Sequence, residues 1–234
     1  MEEKRKIVAV FAHPDDETFI CGGTLAHYAK QGVHITLICA TKGEMGRRMG
    51  NPPFVNRETM PMLREQELIA ACRELGILDL KFLEIRDKMV EFEDENILVQ
   101  RIFSILDEVR PQVLLTFHEK LGGHPDHCAI GKAATLAFQK ITSPKYKPSL
   151  YFIAFEEMLL EAGELGYTDK KIKVINVKDS LYEKMLASRA HRSQSELEAG
   201  LWQSDSEAIK SIRKQEYFLC DEKIDKSEKD SLFT

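Results

Sequence analysis

The sequence has no surplus of positive charge, no closely spaced pair of cysteines and no long apolar run. Its 234 residues include 33 Lys and Arg against 38 Asp and Glu, which gives a net charge of -5. A general nucleic-acid-binding protein needs a basic surplus to displace counterions, so we expect no nucleic-acid partner. No apolar stretch approaches the ~20 residues that a membrane-spanning helix needs, so we expect no membrane partner either.

The five cysteines are widely spaced and include no C-x-x-C pair. This pattern favours a reducing, intracellular compartment over a disulfide-stabilised secreted protein. The first ten residues, MEEKRKIVAV, lack the apolar region and the small-residue cleavage site of a signal peptide. We therefore expect a cytoplasmic protein, and we expect Cys39 and Cys72 to be buried in its core.

Two hydrophobic periods alternate along the first two thirds of the chain. Short continuous apolar runs are typical of strands covered on both faces, and segments with helical spacing lie between them. The predicted strands are 7–11, 34–41, 80–85, 113–117 and 150–155, and the predicted helices are 21–30, 59–75, 96–109 and 126–139. This alternation predicts an α/β fold, a Rossmann-like three-layer α/β/α arrangement around a mostly parallel sheet.

The final third is less regular. Its pattern predicts a strand at 171–177 and helices at 181–190 and 206–218. Because the chain has no internal repeat, low-complexity tract or linker, we expect a single domain over residues 1–220. A charged tail, residues 221–234, follows it and is expected to be frayed.

The first polar motif, AHPDDE at residues 12–17, follows the first predicted strand. His13 and Asp16 are three residues apart, so a first helical turn brings both onto one side. Asp15 points elsewhere, as a base that is not a metal ligand should. Ligands of parallel sheets bind at this carboxyl edge. The alternative is a solvated turn in which an aspartate caps a helix.

A second motif, GGHPDH at residues 122–127, follows the fourth predicted strand and opens the fourth helix. Proline suits the first position of a helix, and His124 and His127 flank that helix start. Capping by exposed histidines is again the alternative. However, two His-Pro-Asp segments more than 100 residues apart occupy equivalent strand-to-helix turns. A parallel sheet can bring such turns together at one edge.

Together the two motifs supply imidazole and carboxylate groups without thiolates. This mixed set suits zinc, and three protein ligands leave one position for water. Zinc lowers the pKa of that water toward ~7 and polarises a carbonyl group, while a neighbouring carboxylate can act as general base. The motifs therefore predict hydrolysis of an amide or an ester.

The paired AHPDDE and HPDH segments resemble the LmbE-like (PIG-L) family of zinc-dependent N-deacetylases. The resemblance extends over nearly the whole chain and includes TKGE at 41–44, Arg64 and HRSQ at 191–194. It implies an enzyme that removes the acetyl group from an N-acetylglucosamine conjugate, with Zn2+ as the cofactor. Iron(II) remains an alternative metal for the same ligand set.

The resemblance also implies roles for single residues. His13, Asp16 and His127 would be the zinc ligands, and Asp15 would be the base that takes a proton from the zinc-bound water. His124 would stabilise the oxyanion of the tetrahedral intermediate. Whether one residue or two act as acid and base stays open.

Three further residues complete the set that the resemblance implies. Asp126 would orient His124 and set its charge. Asp87 follows the third strand and would contact sugar hydroxyls, and Glu44 would belong to the wall of the site. The roles of Glu17 and His191 stay open, and a structural hydrogen-bonding role for His191 is one option.

A long segment, residues 42–58, contains three glycines and two adjacent prolines, which forbid a regular element. Arg47, Arg48, Arg57 and Arg64 lie in it or just after it. Arginine binds carboxylates bidentately, so we expect Arg47, Arg48 and Arg64 to bind an anionic aglycone. The segment resembles the bacillithiol-biosynthesis branch of the family, which hydrolyses N-acetylglucosaminyl-malate. A solvated basic surface is the alternative.

Three other functions compete with the deacetylase hypothesis. One is a zinc amidase that acts on a thiol or sugar conjugate. Another is a non-catalytic protein that binds sugar or metal, against which the intact Asp15 argues. Nucleotide binding ranks last, because the first turn carries HPDDE in place of a G-x-G-x-x-G loop. Family members often form homo-oligomers, but the oligomeric state of this chain stays open.

Overall fold

A computed structural model describes residues 5–141, 146, 148–220 and 230–233. Within these residues, seven strands form one sheet. The strands are β1 (Lys6–Phe11), β2 (His34–Thr41), β3 (Asp79–Ile85), β4 (Val113–Thr116), β5 (Ser149–Ala154), β6 (Ile172–Asn176) and β7 (Gln215–Leu219). All four residues of β4 are buried, as expected for a strand covered on both faces.

Helices cover both faces of this sheet, which confirms the predicted α/β fold. They are α1 (Asp16–Lys30), α2 (Met60–Leu75), α3 (Glu95–Val109), α4 (Pro125–Gln139), α5 (Leu159–Glu164), α6 (Leu181–Ala190), α7 (Arg192–Ser195) and α8 (Asp205–Ser211). The helices α1, α2 and α6 pack against one another, and α3 packs against α4. The core lies between these two helical layers and the sheet, and Cys39 and Cys72 are buried in it as predicted.

The order of the strands determines where a ligand can bind. It runs β3-β2-β1-β4-β5-β7-β6. The pairs from β3 to β5 are parallel, whereas β7 runs antiparallel to both of its neighbours. The chain leaves β1 toward β2 on one side and later returns to β4 on the other. The carboxyl ends of β1 and β4 therefore flank the crevice in which open α/β sheets bind ligands.

Two predicted elements differ from the structure. The helix predicted over 206–218 is wrong: α8 ends at Ser211, and β7 occupies Gln215–Leu219. Glu216 is charged, yet it is 4% exposed and lies within the sheet. The first helix begins at Asp16 rather than at residue 21. Cys21 has non-helical backbone angles, so it interrupts this longer helix instead of starting it.

Most of the predicted charged tail, residues 221–229, lies outside the described residues. Further along, Leu232 is 1% exposed and packs into the core. Its backbone N–H donates to the Tyr28 hydroxyl at 2.7 Å. Residues 230–233 are thus part of the packed structure. No helix in the described part of the chain has both the length and the apolar character needed to cross a membrane.

Candidate metal centre and active site

The loops after β1 and β4 bring the two His-Pro-Asp motifs together. His13 follows β1, and His127 lies in the first turn of α4; their ring centroids are 5.1 Å apart. The Phe117 ring, at the end of β4, stacks on the His127 ring with centroids 3.9 Å apart. The local fold thus fixes both imidazoles at the crevice between β1 and β4.

Three donor atoms converge in this crevice. The Nδ1 atom of His13 lies 3.1 Å from Nε2 of His127. The Asp16 carboxylate lies 3.3 Å from Nε2 of His127 and 3.7 Å from Nδ1 of His13. Tetrahedral zinc with bonds of 2.0–2.1 Å needs its ligand atoms about 3.3 Å apart. The spacing and chemistry of these three groups therefore fit a zinc ion.

The partners of the other ring nitrogens leave the correct lone pairs free for a metal. The Nδ1–H of His127 donates to the Gly122 carbonyl at 2.9 Å, which leaves Nε2 as the acceptor. Nε2 of His13 lies 3.1 Å from Asp87 and 3.2 Å from Asp126. Donation of that proton to a carboxylate leaves Nδ1 of His13 facing the other two ligands, an arrangement common around metal-binding histidines.

Two alternative groups also have donor atoms within 4.8 Å of one another. They are His13 with His124 and His127, and His13 with Asp87 and Asp126. His124 is disfavoured as a ligand because its Nδ1 accepts the Asp126 backbone N–H at 3.1 Å, so Nε2 carries the proton of the neutral ring. The pair of aspartates faces the protonated edge of His13. The set with Asp16 is therefore the better metal site.

The electrostatics of the site favour an ionised Asp16. Burial alone would raise the pKa of Asp16, but the charges and hydrogen bonds of His127 and His13 lower it to about 2. Burial likewise opposes the charged form of His13, whereas hydrogen bonds to Asp126 and Asp87 raise its pKa to about 10. The Asp16 carboxylate is thus ionised, and a metal that bound His13 would displace a proton.

His124 is placed as a hydrogen-bond donor beside the three ligands. Its ring lies edge-on to His13, with centroids 5.0 Å apart. Burial and the neighbouring His13 and His127 lower the pKa of His124, so the neutral ring is favoured. With Nδ1 occupied by a backbone N–H, the Nε2–H of His124 is available to an oxyanion.

Asp126 contacts two histidines through different groups. Its carboxylate lies against His13 and accepts the backbone N–H groups of Lys88 at 2.7 Å and Val90 at 3.2 Å. Its backbone N–H donates to Nδ1 of His124, and its charge acts to raise the pKa of His124. Sequence spacing could not show this, because His13 and Asp126 are 113 residues apart and only the tertiary fold brings them together.

Asp15, the expected base, has a strained backbone. Its φ of 117° and ψ of -26° are unusual for any residue but glycine, and such conformations cost about 1–3 kcal/mol. Its N–H donates to the Glu17 carboxylate at 3.0 Å, and its carbonyl accepts the Phe19 N–H at 2.9 Å. Burial raises the pKa of Asp15 to about 6, although Arg64 opposes the shift. That pKa suits a general base near neutral pH.

Arg64 holds this base in place. Its guanidinium donates to the Asp15 carboxylate at 2.9 Å, to the Gly43 carbonyl at 3.0 Å and to the Pro14 carbonyl. A side chain on Gly43 would put its Cβ 1.9 Å from the Arg64 guanidinium, so glycine is needed there. Arg64 is 3% exposed, and its contacts are to the protein rather than to the crevice where a substrate contact was expected.

Glu44 and Asp87 fasten the segment 42–58 to the end of β3. The Asp87 carboxylate accepts the Met45 N–H at 2.9 Å, and the Glu44 carboxylate accepts the Asp87 N–H at 3.0 Å. Asp87 also reaches His13. Both residues border the site, and Asp87, which was expected to contact sugar hydroxyls, joins the segment directly to His13.

The arginines of the segment have different surroundings. Arg57 donates to the carbonyls of Glu44 and Gly46, so it closes the segment on itself. Arg48 donates to the Gln194 carbonyl and pairs with Glu198 at 2.9 Å. Arg47 is exposed and, among the described residues, has no ion-pair or hydrogen-bond partner.

Glu17 connects to the HRSQ segment, a contact that the residue pattern does not predict. His191 is fully buried, and its Nε2 lies 2.7 Å from the Glu17 carboxylate, which raises the pKa of His191 in spite of burial. Glu17 in turn accepts the N–H of Asp15. Ser193 donates from both its N–H and its hydroxyl to Glu67 at 2.7 Å. Through Glu17, the HRSQ segment thus helps to hold the backbone of Asp15, a role that only the tertiary fold could reveal.

A cavity of about 750 Å³ opens beside Asp15. Its wall includes Phe19, Arg48, Gln194 and Arg213. Small-molecule sites commonly have volumes of about 300–1,000 Å³. The wall of this cavity includes Asp15 but not His13, Asp16 or His127, so a substrate in it would approach the proposed metal centre from the side of Asp15.

Comparison with known proteins finds relatives of one family. Residues 8–138 match the PIG-L family, described as GlcNAc-PI de-N-acetylase. The chain is 42% identical over 193 residues, 82% of its length, to a Bacillus subtilis protein named probable N-acetyl-alpha-D-glucosaminyl L-malate deacetylase 2, 85% of which is covered. It is 32% identical over 185 residues to the 1D-myo-inositol 2-acetamido-2-deoxy-alpha-D-glucopyranoside deacetylase of Salinispora arenicola, which covers 70% of this chain and 60% of that protein.

The fold also occurs in a solved structure, the N,N'-diacetylchitobiose deacetylase of Pyrococcus horikoshii. The TM-score is 0.67 at 21% identity, with 93% of this chain and 84% of that one covered. At this identity the likeness concerns the fold alone. It shows that the seven-stranded arrangement described above recurs in a solved protein.

Proposed function

This chain belongs to the PIG-L family of de-N-acetylases and is an N-deacetylase, and from that premise we propose that it removes the acetyl group of N-acetylglucosaminyl malate. The observation that carries the substrate proposal is the similarity over most of the chain to the Bacillus subtilis protein named for that conjugate. The converging donors of His13, Asp16 and His127 support the metal-dependent chemistry. We further infer a cytoplasmic location from the spacing of the cysteines.

We propose zinc as the metal, held by His13, Asp16 and His127. When bound, the zinc ion would act as a Lewis acid toward the acetyl carbonyl and would lower the pKa of a water molecule. Asp15 would accept a proton from that water molecule, and the oxygen of the water would attack the carbonyl carbon of the acetyl group. The Nε2–H of His124 donates to the developing oxyanion.

The second half of the reaction breaks the carbon–nitrogen bond. As the carbonyl re-forms, the bonding electron pair leaves with the sugar nitrogen, which must gain a proton to depart as an amine. Asp15 holds the proton that it took from water, and with a pKa of about 6 it can release that proton near neutral pH. The products are acetate and the free glucosamine conjugate.

The arginines of segment 42–58 support an anionic aglycone. Arg47 is exposed without a partner among the described residues, and Arg48 lies in the wall of the cavity. The pair of Arg48 with Glu198 is half-exposed, and exposed ion pairs are worth about 0–1 kcal/mol. A substrate carboxylate could therefore replace Glu198 as the partner of Arg48 at little cost.

The substrate proposal is tested by acetate release from three compounds: the malate conjugate, the inositol conjugate and free N-acetylglucosamine. We expect kcat/KM to be highest for the malate conjugate. Arg48→Ala should lower it about tenfold for that compound alone, the loss of one charge-assisted contact of about 1.5 kcal/mol. Arg110→Ala, at the other edge of the sheet after α3, is the control and should change nothing. Equal turnover of all three compounds would reject the malate conjugate.

A further inference from the structure

The helix α1 is interrupted five residues after it begins. Cys21 has φ -133° and ψ 19°, which are not helical angles. In an unbroken helix the Gly23 N–H would donate to the Phe19 carbonyl. Such kinks have identifiable causes, among them a side chain that enters the hydrogen-bond ladder.

Here two charged side chains meet the backbone at the break. The Glu216 carboxylate accepts the N–H of Gly23 at 3.0 Å and that of Thr24 at 2.7 Å. The Lys184 ammonium donates to the Phe19 carbonyl at 3.2 Å. The two side chains thus serve the donor and the acceptor of the interrupted turn.

Lys184 and Glu216 also bind each other. Nζ of Lys184 lies 2.6 Å from the Glu216 carboxylate, and the two side chains are 6% and 3% exposed. A buried ion pair is costly unless further hydrogen bonds satisfy both groups. The backbone of α1 supplies those hydrogen bonds. The ion pair and the unpaired backbone groups at the helix break therefore satisfy each other.

Gly23 gives independent support for the fit. A Cβ atom at this position would lie 2.7 Å from Cβ of Val177 and 3.0 Å from the Glu216 carboxylate. No other residue would let β7 and the end of β6 approach the helix so closely. At the adjacent Gly22, by contrast, a Cβ would meet its nearest neighbour at an ordinary 3.4 Å.

The half of α1 before the break carries the active site. Asp16 belongs to it, and its carboxylate accepts the N–H groups of Ala12 and His13 at 3.2 and 2.8 Å. Phe19, whose carbonyl binds Lys184, donates its own N–H to the carbonyl of Asp15. Lys184 is therefore one residue removed from the strained base.

We propose that Lys184 and Glu216 are positioning residues, which hold the first half of α1 at the angle that aligns Asp15 and Asp16 with the other ligands. This inference rests on the proposed metal centre. The pair acts through the helix backbone, so we expect its effect on metal affinity and kcat. Lys184 also lies in the wall of the cavity, so the test substitutes Glu216, which does not line it.

Glu216→Gln tests the proposal directly in the zinc-loaded enzyme. The amide keeps one acceptor oxygen but turns an NH2 group toward a backbone donor, and it removes the charge that faces Lys184. We expect zinc affinity, measured by competition with a chelator, and kcat each to fall about tenfold or more, as when the outer partners of metal ligands are removed. KM should stay within about twofold, because no substrate contact is lost. The control is Lys173→Met, which removes a different buried lysine, on β6. It should leave zinc affinity and kcat unchanged.

The adjacent glycines provide a second test that keeps both charges. Gly23→Ala should separate Glu216 from the helix and weaken zinc binding, whereas Gly22→Ala should not. Wild-type zinc affinity and kcat in folded Glu216→Gln or Gly23→Ala would overturn the proposal and leave the metal centre intact. So would full recovery in a Lys184→Met, Glu216→Met double variant, which restores packing but not the acceptors. A wild-type chain that binds no zinc would overturn the proposed metal centre itself.

Discussion

Asp15 combines a strained backbone with a carboxylate that faces a cavity. The conformation persists because its N–H, its carbonyl and its side chain are each held by a different partner: Glu17, Phe19 and Arg64. Strain that the surroundings enforce is common at catalytic groups, where it pre-organises the reacting atom. The same contacts hold the Asp15 carboxylate against Arg64 in the wall of the cavity, next in sequence to the proposed ligand Asp16.

Substitution at two positions separates the base from the ligands. Asp15→Asn keeps the shape of the side chain but cannot accept a proton, so kcat should fall about 10²–10⁴-fold with zinc content unchanged. His127→Ala removes a metal ligand and should lose both activity and zinc. Metal analysis of the two purified variants checks this expectation. Equal loss of zinc from both would show that Asp15 is itself a ligand.

The sequence predicts the identity of these groups better than their contacts. The spacing of His13 and Asp16 within one turn, and the repeat of His-Pro-Asp before His127, indicated a joint site. The partner of Arg64 could not be predicted, because a long side chain reaches several positions and burial decides among them. The destination of Asp126 was missed for a similar reason, since only the tertiary fold brings its carboxylate to His13.

At the scale of elements, the segment 42–58 has few regular bonds of its own and is held from outside. Asp87 binds it at one end, near Met45. Near its middle, the Glu196 carboxylate accepts the Asn51 N–H at 2.8 Å. Carboxylates from two distant parts of the chain thus fix a segment that borders the cavity through Arg48.

Release of one of these anchors should affect substrate binding before catalysis. Glu196→Ala leaves the Asn51 N–H to water and lets the segment move, so KM for the malate conjugate should rise several-fold with kcat within about twofold. Glu207→Ala, which removes an exposed partner of Lys210 on α8, is the matched control. Steady-state kinetics separate the two parameters. A fall in kcat at constant KM would instead show that Glu196 affects the catalytic groups rather than substrate binding.

The elements of the first two thirds could be predicted because apolar runs and glycine stops agree along that part of the chain. β7 could not, because its buried Glu216 breaks the apolar pattern that marks a central strand. The charge that hid the strand is the one that satisfies the break in α1. At Glu216 the local pattern therefore argues against a buried strand, whereas the contact with α1 requires a buried carboxylate. The tertiary contact prevails.

At the scale of the whole molecule, the metal centre joins parts of the chain that are far apart in sequence. The proposed ligands follow two strands that lie side by side only because the order of the sheet reverses at β1. The sequence predicts this edge of the sheet as the site, since parallel strands share it. The strands that pair with β7 could not be predicted, because the insertion of an antiparallel strand between β5 and β6 leaves no signal in the local sequence.

Because the ligands come from two separate loops, metal removal should loosen the whole domain. A ligand that binds only the folded state at about 1,000 times its Kd adds about 4 kcal/mol. For a chain of this size that corresponds to roughly 8–16 °C in Tm. Calorimetry with and without a chelator measures the difference, and the chelator should not affect His127→Ala. An unchanged Tm in the wild-type chain would contradict a metal that bridges the two loops.

The position of β7 bears on how the molecule is made. β7 is the last described strand in chain order, yet it lies inside the sheet between β5 and β6. On the ribosome, both histidine motifs emerge long before Glu216 does, while the edge of β5 still awaits its partner. A nascent chain therefore holds all the proposed ligands before it holds the carboxylate that meets the break in α1. The proposed positioning contact between Glu216 and α1 can therefore form only after β7 has been synthesised and has paired between β5 and β6.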